Sequence, residues 1–248
     1  MTLFDHQAIT CLDWPIAGVK ALTTNRLGAL SQTKFGSFNL GLHVGDEAEQ
    51  VLANRQSLNN YFGEQARIQW LDQVHGSDVH RLEKWQSEPI VADAIVTSKA
   101  NIGLAIMTAD CLPILLSSDD GKIIAAIHGG WRPLASNIIE KTITQMSVKP
   151  ESVHVWLGPC IGPTAFEVGS EVKYAFTAQD EMYLQAFKPL HDNKYLADLA
   201  KIAILKLNHL GVTNISQLAH CTYSDTQRYY SYRKEGQTGR MASAIMIE

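Results

Sequence analysis

The stretch TADCLPILLSSDDGKIIAAIHGGW, residues 108–131, decides how the chain folds. Two apolar runs, PILLSS and IIAAIHG, flank the turn signal DDGK at 119–122 and read as an antiparallel hairpin. Positions that pair across a tight turn there sum to about 241. Cys111 and His128, 17 positions apart, sum to 239 and so come together at the open end of the hairpin. A thiol and an imidazole then converge. A third candidate is His75 in DQVHGSDVH, where the neighbouring Gly76 releases the chain from a strand end. Two imidazoles and one thiolate make a nitrogen and sulfur set suited to Zn²⁺, and three protein ligands leave a fourth position for water or substrate. The plainer reading also stands on spacing alone: a cysteine in an apolar strand packs as a small hydrophobe, and a single histidine is a satisfied polar residue. His80, five residues from His75, falls on the opposite face of an extended strand and is left out of the set.

Working outward, IAGVKALTT, RIQWLDQV, DAIVTS, GLAIMTA, VHVWLG and MASAIMI are further strand-like runs bounded by turn signals. Helical spacing appears in LASNIIEKTITQM after GGWRP, with Pro133 suited to a first turn. It recurs from Tyr195 to Leu210, stopped by Gly211, and more briefly in SEVKYAFTAQ. Strands outnumber helices and are hairpin-connected, which predicts an α/β (α+β) fold of mixed, largely antiparallel sheets packed with helices in a sandwich. No repeat or Pro/Gly/Ser-rich linker interrupts the 248 residues, so residues 1–248 are expected to form a single domain. With 21 Lys+Arg against 25 Asp+Glu and no dense basic run, the chain carries no electrostatic case for nucleic acid or an anionic membrane as partner. Four scattered cysteines do not make a disulfide scaffold, and no leader-like or membrane-spanning run is seen, so a cytoplasmic location is expected.

The stretches QVHGSDV, ADAIVTS, TADCLPILL, AAIHGGWR, WLGPCIGPTAFEVG and CTYSDTQRYYSYRKEGQTGRMASAIMI, with TTNRLGALSQTKFGSFNLGLHVGD near the start, closely resemble the YfiH family, also described as laccase-domain or polyphenol oxidoreductase proteins. The likeness covers nearly the whole chain. It implies a zinc-dependent purine nucleoside phosphorylase that also deaminates adenosine, with a peptidoglycan-editing label on some members. It also implies metal ligands at the histidine of QVHG, the cysteine of TADC and the histidine of IHGGW, which are His75, Cys111 and His128 here. One motif departs from the family pattern: Ala29 and Leu30 of RLGALS stand where the family has Gly and Val, which puts a close backbone approach to ligand at Ala29 in doubt.

Phosphorolysis needs an anion site, stabilisation of an oxocarbenium-like ribosyl group and an acceptor for charge on the leaving purine. HGGWRP ends a strand and opens a helix, so amides at Gly129 and Gly130, with Arg132, are candidates for phosphate, against a sharp turn with no ligand. Arg26 is a second oxyanion candidate, against a solvated arginine. Asn39 and His43 in FNLGLHVGD are candidates for hydrogen bonds to base or sugar. Asp110, beside the cysteine, and Asp93 are the nearest carboxylates, and Asp110 is the candidate acid/base or ligand-supporting group, against a structural role. The His-x-Glu and Pro-Cys-x-x-Cys signature of zinc deaminases is absent. Phe38, Trp131, Tyr229, Tyr230 and Tyr232 are stacking candidates weighed against core or rim positions. The loop DTQRYYSYRKEGQTGR, with Arg228, Arg233, Lys234 and Arg240, either closes over phosphate or is simply solvated.

Three rivals remain at this level. A copper-dependent polyphenol oxidoreductase is poorly served, since the 9 histidines include no His-x-His pair for a trinuclear centre, although a single His₂Cys copper site stays open. A thiol amidase acting on peptidoglycan precursors would use Cys111 as nucleophile and His128 as base. A non-catalytic domain would use zinc only to hold the hairpin. The expected partners are a purine nucleoside and phosphate, with zinc as cofactor.

Overall fold

A computed structural model of the chain describes residues 7–28 and 35–248. Ala29 and Leu30, the residues of the divergent motif, lie outside the described residues. Two large sheets stack face to face. The first is five-stranded, in the order β1 (Ile9–Leu12), β2 (Val19–Thr24), β16 (Met241–Ile247), β8 (Ile102–Thr108) and β3 (Arg67–Gln69). The second is six-stranded, in the order β15 (Asn214–Gln217), β11 (Val153–Leu157), β9 (Leu112–Ser118), β10 (Ile124–Gly129), β7 (Ala94–Thr97) and β5 (Val79–Leu82). Two small sheets complete the strands, β12 (Glu167–Gly169) with β14 (Lys194–Ala197) and β13 (Phe187–Pro189), and β4 (Leu71–Asp72) with β6 (Ile90–Val91).

Alternation along each strand sorts the core into layers. Leu104, Ile106 and Ile245 of the first sheet meet Ile95, Leu115, Ile124, Ala126 and Trp156 of the second. Leu22, Ala105, Ala242 and Met246, one residue out of phase, face the opposite way and are covered by Leu58 and Phe62 of α1 (Ala48–Phe62). Leu112, Ile114, Leu116, Ala125 and Ile127 face the other helical layer. That layer contains α2 (Trp131–Ala135), α3 (Ile138–Met146), α4 (Ser170–Thr177) and α5 (Leu199–His209). Helices cover both outer faces, so antiparallel strands here read as continuous apolar runs, a pattern more familiar from parallel sheets. The expected α+β sandwich is the observed one.

The hairpin register pairs Ile124 with Ser117 and His128 with Pro113, so partners sum to 241 as the turn required. His128 shares parity with Ile124 and Ala126 and therefore looks into the space between the sheets, at its open end.

Two helix expectations need correction. The helix read through 134–146 is broken at Asn137, whose φ of 60° is left-handed, so α2 and α3 are separate segments. The helix read from Tyr195 starts only at Leu199: residues 194–197 are strand β14, and Asp198 caps the helix by accepting a hydrogen bond from the Lys201 amide at 2.9 Å. Gly211, with φ of 92°, follows that helix as expected.

Leu115 is fully buried between the sheets. Leu115→Ala is expected to lower unfolding free energy by about 2–5 kcal/mol, measured by urea denaturation. A loss below about 1 kcal/mol would show that the inter-sheet layer is not a close-packed core.

Candidate metal centre and its cavity

Asp93, immediately before β7, builds the site. Its carboxylate is fully buried and accepts hydrogen bonds from the backbone amides of Val74 at 3.3 Å, His75 at 3.0 Å and Gly76 at 2.6 Å. On its other side Oδ1 lies 2.7 Å from Nδ1 of His128. Burial raises the Asp93 pKa, but the bonds to His128, Gly76 and His75 outweigh it and hold the carboxyl below the usual range. An ionised carboxylate accepts, so Nδ1 of His128 carries the proton and Nε2 is left for another partner. The same carboxylate pins the loop that carries His75, whose φ of 58° is left-handed.

Upstream, Gln73 fixes that loop to β8, its side-chain amide exchanging two 2.8 Å hydrogen bonds with the backbone of Met107. Cys111 enters from the turn between β8 and β9, its Sγ 4.0 Å from Nε2 of His75. The two imidazoles meet edge to face with centroids 4.7 Å apart. One ligand atom from each of His75, Cys111 and His128 lies within 4.8 Å of the others, the dimension of one coordination sphere. Burial pushes the Cys111 thiol up, but the facing His128 and His75 more than offset this and pull it down. Burial works against charge on His128, whereas Cys111 and Asp93 raise its pKa. A proton shared in this way is released when a cation enters, because the thiolate and the neutral imidazole are the ligand forms.

The glycines after β10 have a steric reason. A Cβ on Gly129 would sit 2.6 Å from the Leu112 carbonyl oxygen, and one on Gly130 would sit 3.1 Å from the Cys111 sulfur and 3.4 Å from Cδ2 of His75. Gly129 is held in the sheet opposite Leu112, and the Gly130 carbonyl accepts from the Leu134 amide. Arg132 is exposed and its guanidinium lies over the Trp131 ring, 4.4 Å from the centroid. Neither Arg132 nor Gly129 and Gly130 line the cavity described next.

The metal donors open onto a cavity of about 380 Å³. Its walls include His43, Met107, Asp110, Ile161, Phe166, Tyr232, Arg233 and Arg240. Of the candidate ligand-binding residues, His43 lines it; partial burial first, then Arg240 and Arg55, lower its pKa and favour the neutral ring. Asn39 is buried outside it, accepting from the Gly41 and Arg240 amides at 2.9 and 2.8 Å. Arg26 is also outside: its Nη1 donates to the Thr226 carbonyl and to Glu235, and the group stacks on Tyr230. Asp110 lines the cavity with a φ of 93°, but Oδ1 accepts from the Thr222 hydroxyl at 2.7 Å and Oδ2 from the Arg233 amide at 2.6 Å. It is Asp93, and not Asp110, that supports a candidate ligand. Cys160 is buried packing, its backbone in an isolated β-bridge with that of Cys221 and both thiols free, and Phe38, Tyr229 and Tyr230 are core. Phe166 is the cavity aromatic that sequence reading missed; Tyr232 and the loop arginines were noticed there only as alternatives.

Fold and site together define a class: a sandwich of two helix-covered sheets with a His₂Cys set, able to hold a metal ion, at the floor of an inter-sheet cavity. Residues 20–248 match the family model described as multi-copper polyphenol oxidoreductase laccase, and the chain belongs to this family, which includes the YfiH proteins. It is 42% identical over 238 residues to a protein of Pseudomonas aeruginosa named purine nucleoside phosphorylase, covering 95% of this chain and 97% of that one. It is 41% identical to the Escherichia coli purine nucleoside phosphorylase YfiH, covering 94% and 96% of the two chains. A crystal structure of a Neisseria meningitidis protein superposes with a TM-score of 0.93 at 39% identity, over 97% of this chain and 99% of that one. None of the described helices is long and apolar enough to cross a membrane.

In protein stripped of metal by a chelator, iodoacetamide is expected to alkylate Cys111 at neutral pH, and added Zn²⁺ to suppress the reaction. Cys160, whose thiol burial pushes up, stays unmodified in both states. Equal labelling of Cys111 with and without metal, read by peptide mass spectrometry, would rule out its role as a ligand. Asp93→Asn is expected to weaken metal binding by about 10–100-fold in a competitive chelator titration.

Proposed function

We propose that this chain is a purine nucleoside phosphorylase that cleaves adenosine and inosine with phosphate, with zinc held by His75, Cys111 and His128. The observation that carries the reading is the cavity itself, where a three-donor set, a neutral imidazole, two guanidinium groups and aromatic rings share one space. Relatives over 40% identical bear the same name. Two nitrogens and a sulfur suit zinc, and three protein donors leave a position open. The family description names copper, but the described residues supply one three-donor group, which is insufficient for a multinuclear copper centre.

In the reaction a phosphate oxygen bonds to C1′ of the ribose as the C1′–N9 bond breaks. The bonding pair leaves with the purine, which ends protonated. When bound, zinc supplies a Lewis acid where negative charge accumulates. Asp93 holds His128 in one tautomer and orientation. His43, neutral, offers a donor and an acceptor to base or sugar. Phe166 and Tyr232 put aromatic rings in the wall, and Ile161 and Met107 make part of it apolar, which strengthens each polar contact made there.

The test is product analysis of purified protein of known metal content, given adenosine or inosine with and without phosphate. Phosphate-dependent release of adenine and hypoxanthine is expected, with about one zinc per chain. His75→Ala should lower kcat/KM by at least about 100-fold. Conversion of adenosine to inosine irrespective of phosphate would put deamination first. Oxygen-consuming oxidation of a phenol, with both nucleosides untouched, would replace the reading with the oxidoreductase one.

A further inference from the structure

Arg233 and Arg240 are the cationic side chains that line the cavity besides its histidines. Among the described residues no carboxylate lies within ion-pair distance of either, unlike Arg26 with Glu235 or Arg228 with Asp225. The one carboxylate in the wall, Asp110, has one oxygen on the Thr222 hydroxyl and the other on the Arg233 amide. It anchors the main chain of Arg233 and does not neutralise its side chain.

Both guanidinium groups are held in place. Nη1 of Arg233 donates to the Glu167 carbonyl at 2.9 Å, and the group lies over Phe166, 5.3 Å from the ring centroid. Nη1 of Arg240 donates to the carbonyls of Thr238 at 2.9 Å and Gly239 at 3.0 Å, with Tyr232 beneath it at 5.9 Å. The Arg240 amide is fixed in turn by Asn39, and its Cγ occupies the space that a Cβ on Gly41 would need, 2.8 Å away. In each arginine only Nη1 is taken up by carbonyls, which leaves the Nε–H and Nη2 edge, the fork that binds two oxygens of one oxyanion. Arg240 is part-buried with no carboxylate in contact, so an anion in the cavity offsets its desolvation, and the exposed Arg233 adds positive charge beside the same space.

We infer that Arg233 and Arg240 form an oxyanion subsite in the same cavity as the metal donors, and that it takes inorganic phosphate, the attacking reagent of the proposed reaction. The identity of the anion rests on the phosphorylase reading; the existence of the subsite rests on the two arginines. This places phosphate binding on the loop before β16, and not on Gly129, Gly130, Arg132 or Arg26.

Two measurements test this on the intact zinc-loaded protein. Calorimetric titration with inorganic phosphate should show binding to wild type that weakens by about 10-fold or more in Arg233→Gln and in Arg240→Gln. Arg233 is exposed, so its variant is expected to fold normally. Arg240→Lys, which keeps the charge and loses the fork, should fall between wild type and Arg240→Gln. In steady state both Gln variants should raise the KM for phosphate by a similar factor and leave the KM for inosine within about twofold. Phosphate binding that is absent in wild type, or unchanged in both Gln variants, overturns the inference. Wild type that binds phosphate through these arginines but turns over nucleosides without it would overturn the phosphorylase reading and leave the subsite standing.

Discussion

One buried carboxylate organises this protein's chemistry. Asp93 collects three backbone N–H groups from the segment 74–76 and the Nδ1 proton of His128, 35 residues further along the chain, and so ties a loop to a strand. A buried ionised carboxylate survives only if its lone pairs are satisfied, and four donors achieve that. The arrangement works in both directions. The donors keep Asp93 charged, and Asp93 keeps two of the three candidate ligands oriented when no cation is bound. Without it, His75 would have little to hold it in a left-handed backbone conformation, which for a non-glycine residue costs on the order of 1 kcal/mol or more.

The sandwich explains why this chemistry sits at an edge. Between the sheets the space is filled by Leu104, Ile106, Leu115, Ile124, Ala126 and Ile245. At the end where β8 hands over to β9 and β10 to α2, the alternation that placed apolar groups inward places His128 inward instead. Cys111 stands just before β9 and Arg240 just before β16, so strand termini from both sheets contribute to one cavity. The strands supply rigidity, and the termini supply polar groups that the middle of the sandwich excludes. Glycines at 129 and 130 are required because the chain leaves β10 in contact with the Leu112 carbonyl and the Cys111 sulfur.

How much of this was legible in the sequence depended on the range of the interaction. The hairpin and its register came from local signals, a turn and two apolar runs, and the structure returns the same register. The start of α5 was misplaced because apolar spacing continued through Tyr195 and Leu196, while Asp198, a capping residue, marked the true boundary. Helix α1 went unread: its buried face includes Asn54, which donates to the Asn39 carbonyl and interrupts an apolar stripe that spacing alone would detect. That Asp93, and not Asp110, meets His128 was hidden for a related reason. Adjacency in sequence to Cys111 said nothing of which carboxylate the fold would bring to His128. Arg233 and Arg240 were seen only as part of a polar loop, since whether a loop arginine meets a carboxylate or a cavity is decided by long-range packing.

Cys111, His128 and Asp93 taken alone also describe a thiol nucleophile with its base and the group that orients the base. His75 separates the two readings. A nucleophile needs one imidazole as base, whereas here a second imidazole is brought to within 4.0 Å of the same sulfur through a strained backbone position secured by the same aspartate. Strain of that kind persists only where the surroundings enforce it, and the surroundings here enforce convergence of three donors on one point. Gly130 adds to the case, because the absent side chain leaves the sulfur and the His75 ring free to meet. The geometry serves a shared ligand held by all three groups better than it serves proton transfer between two of them.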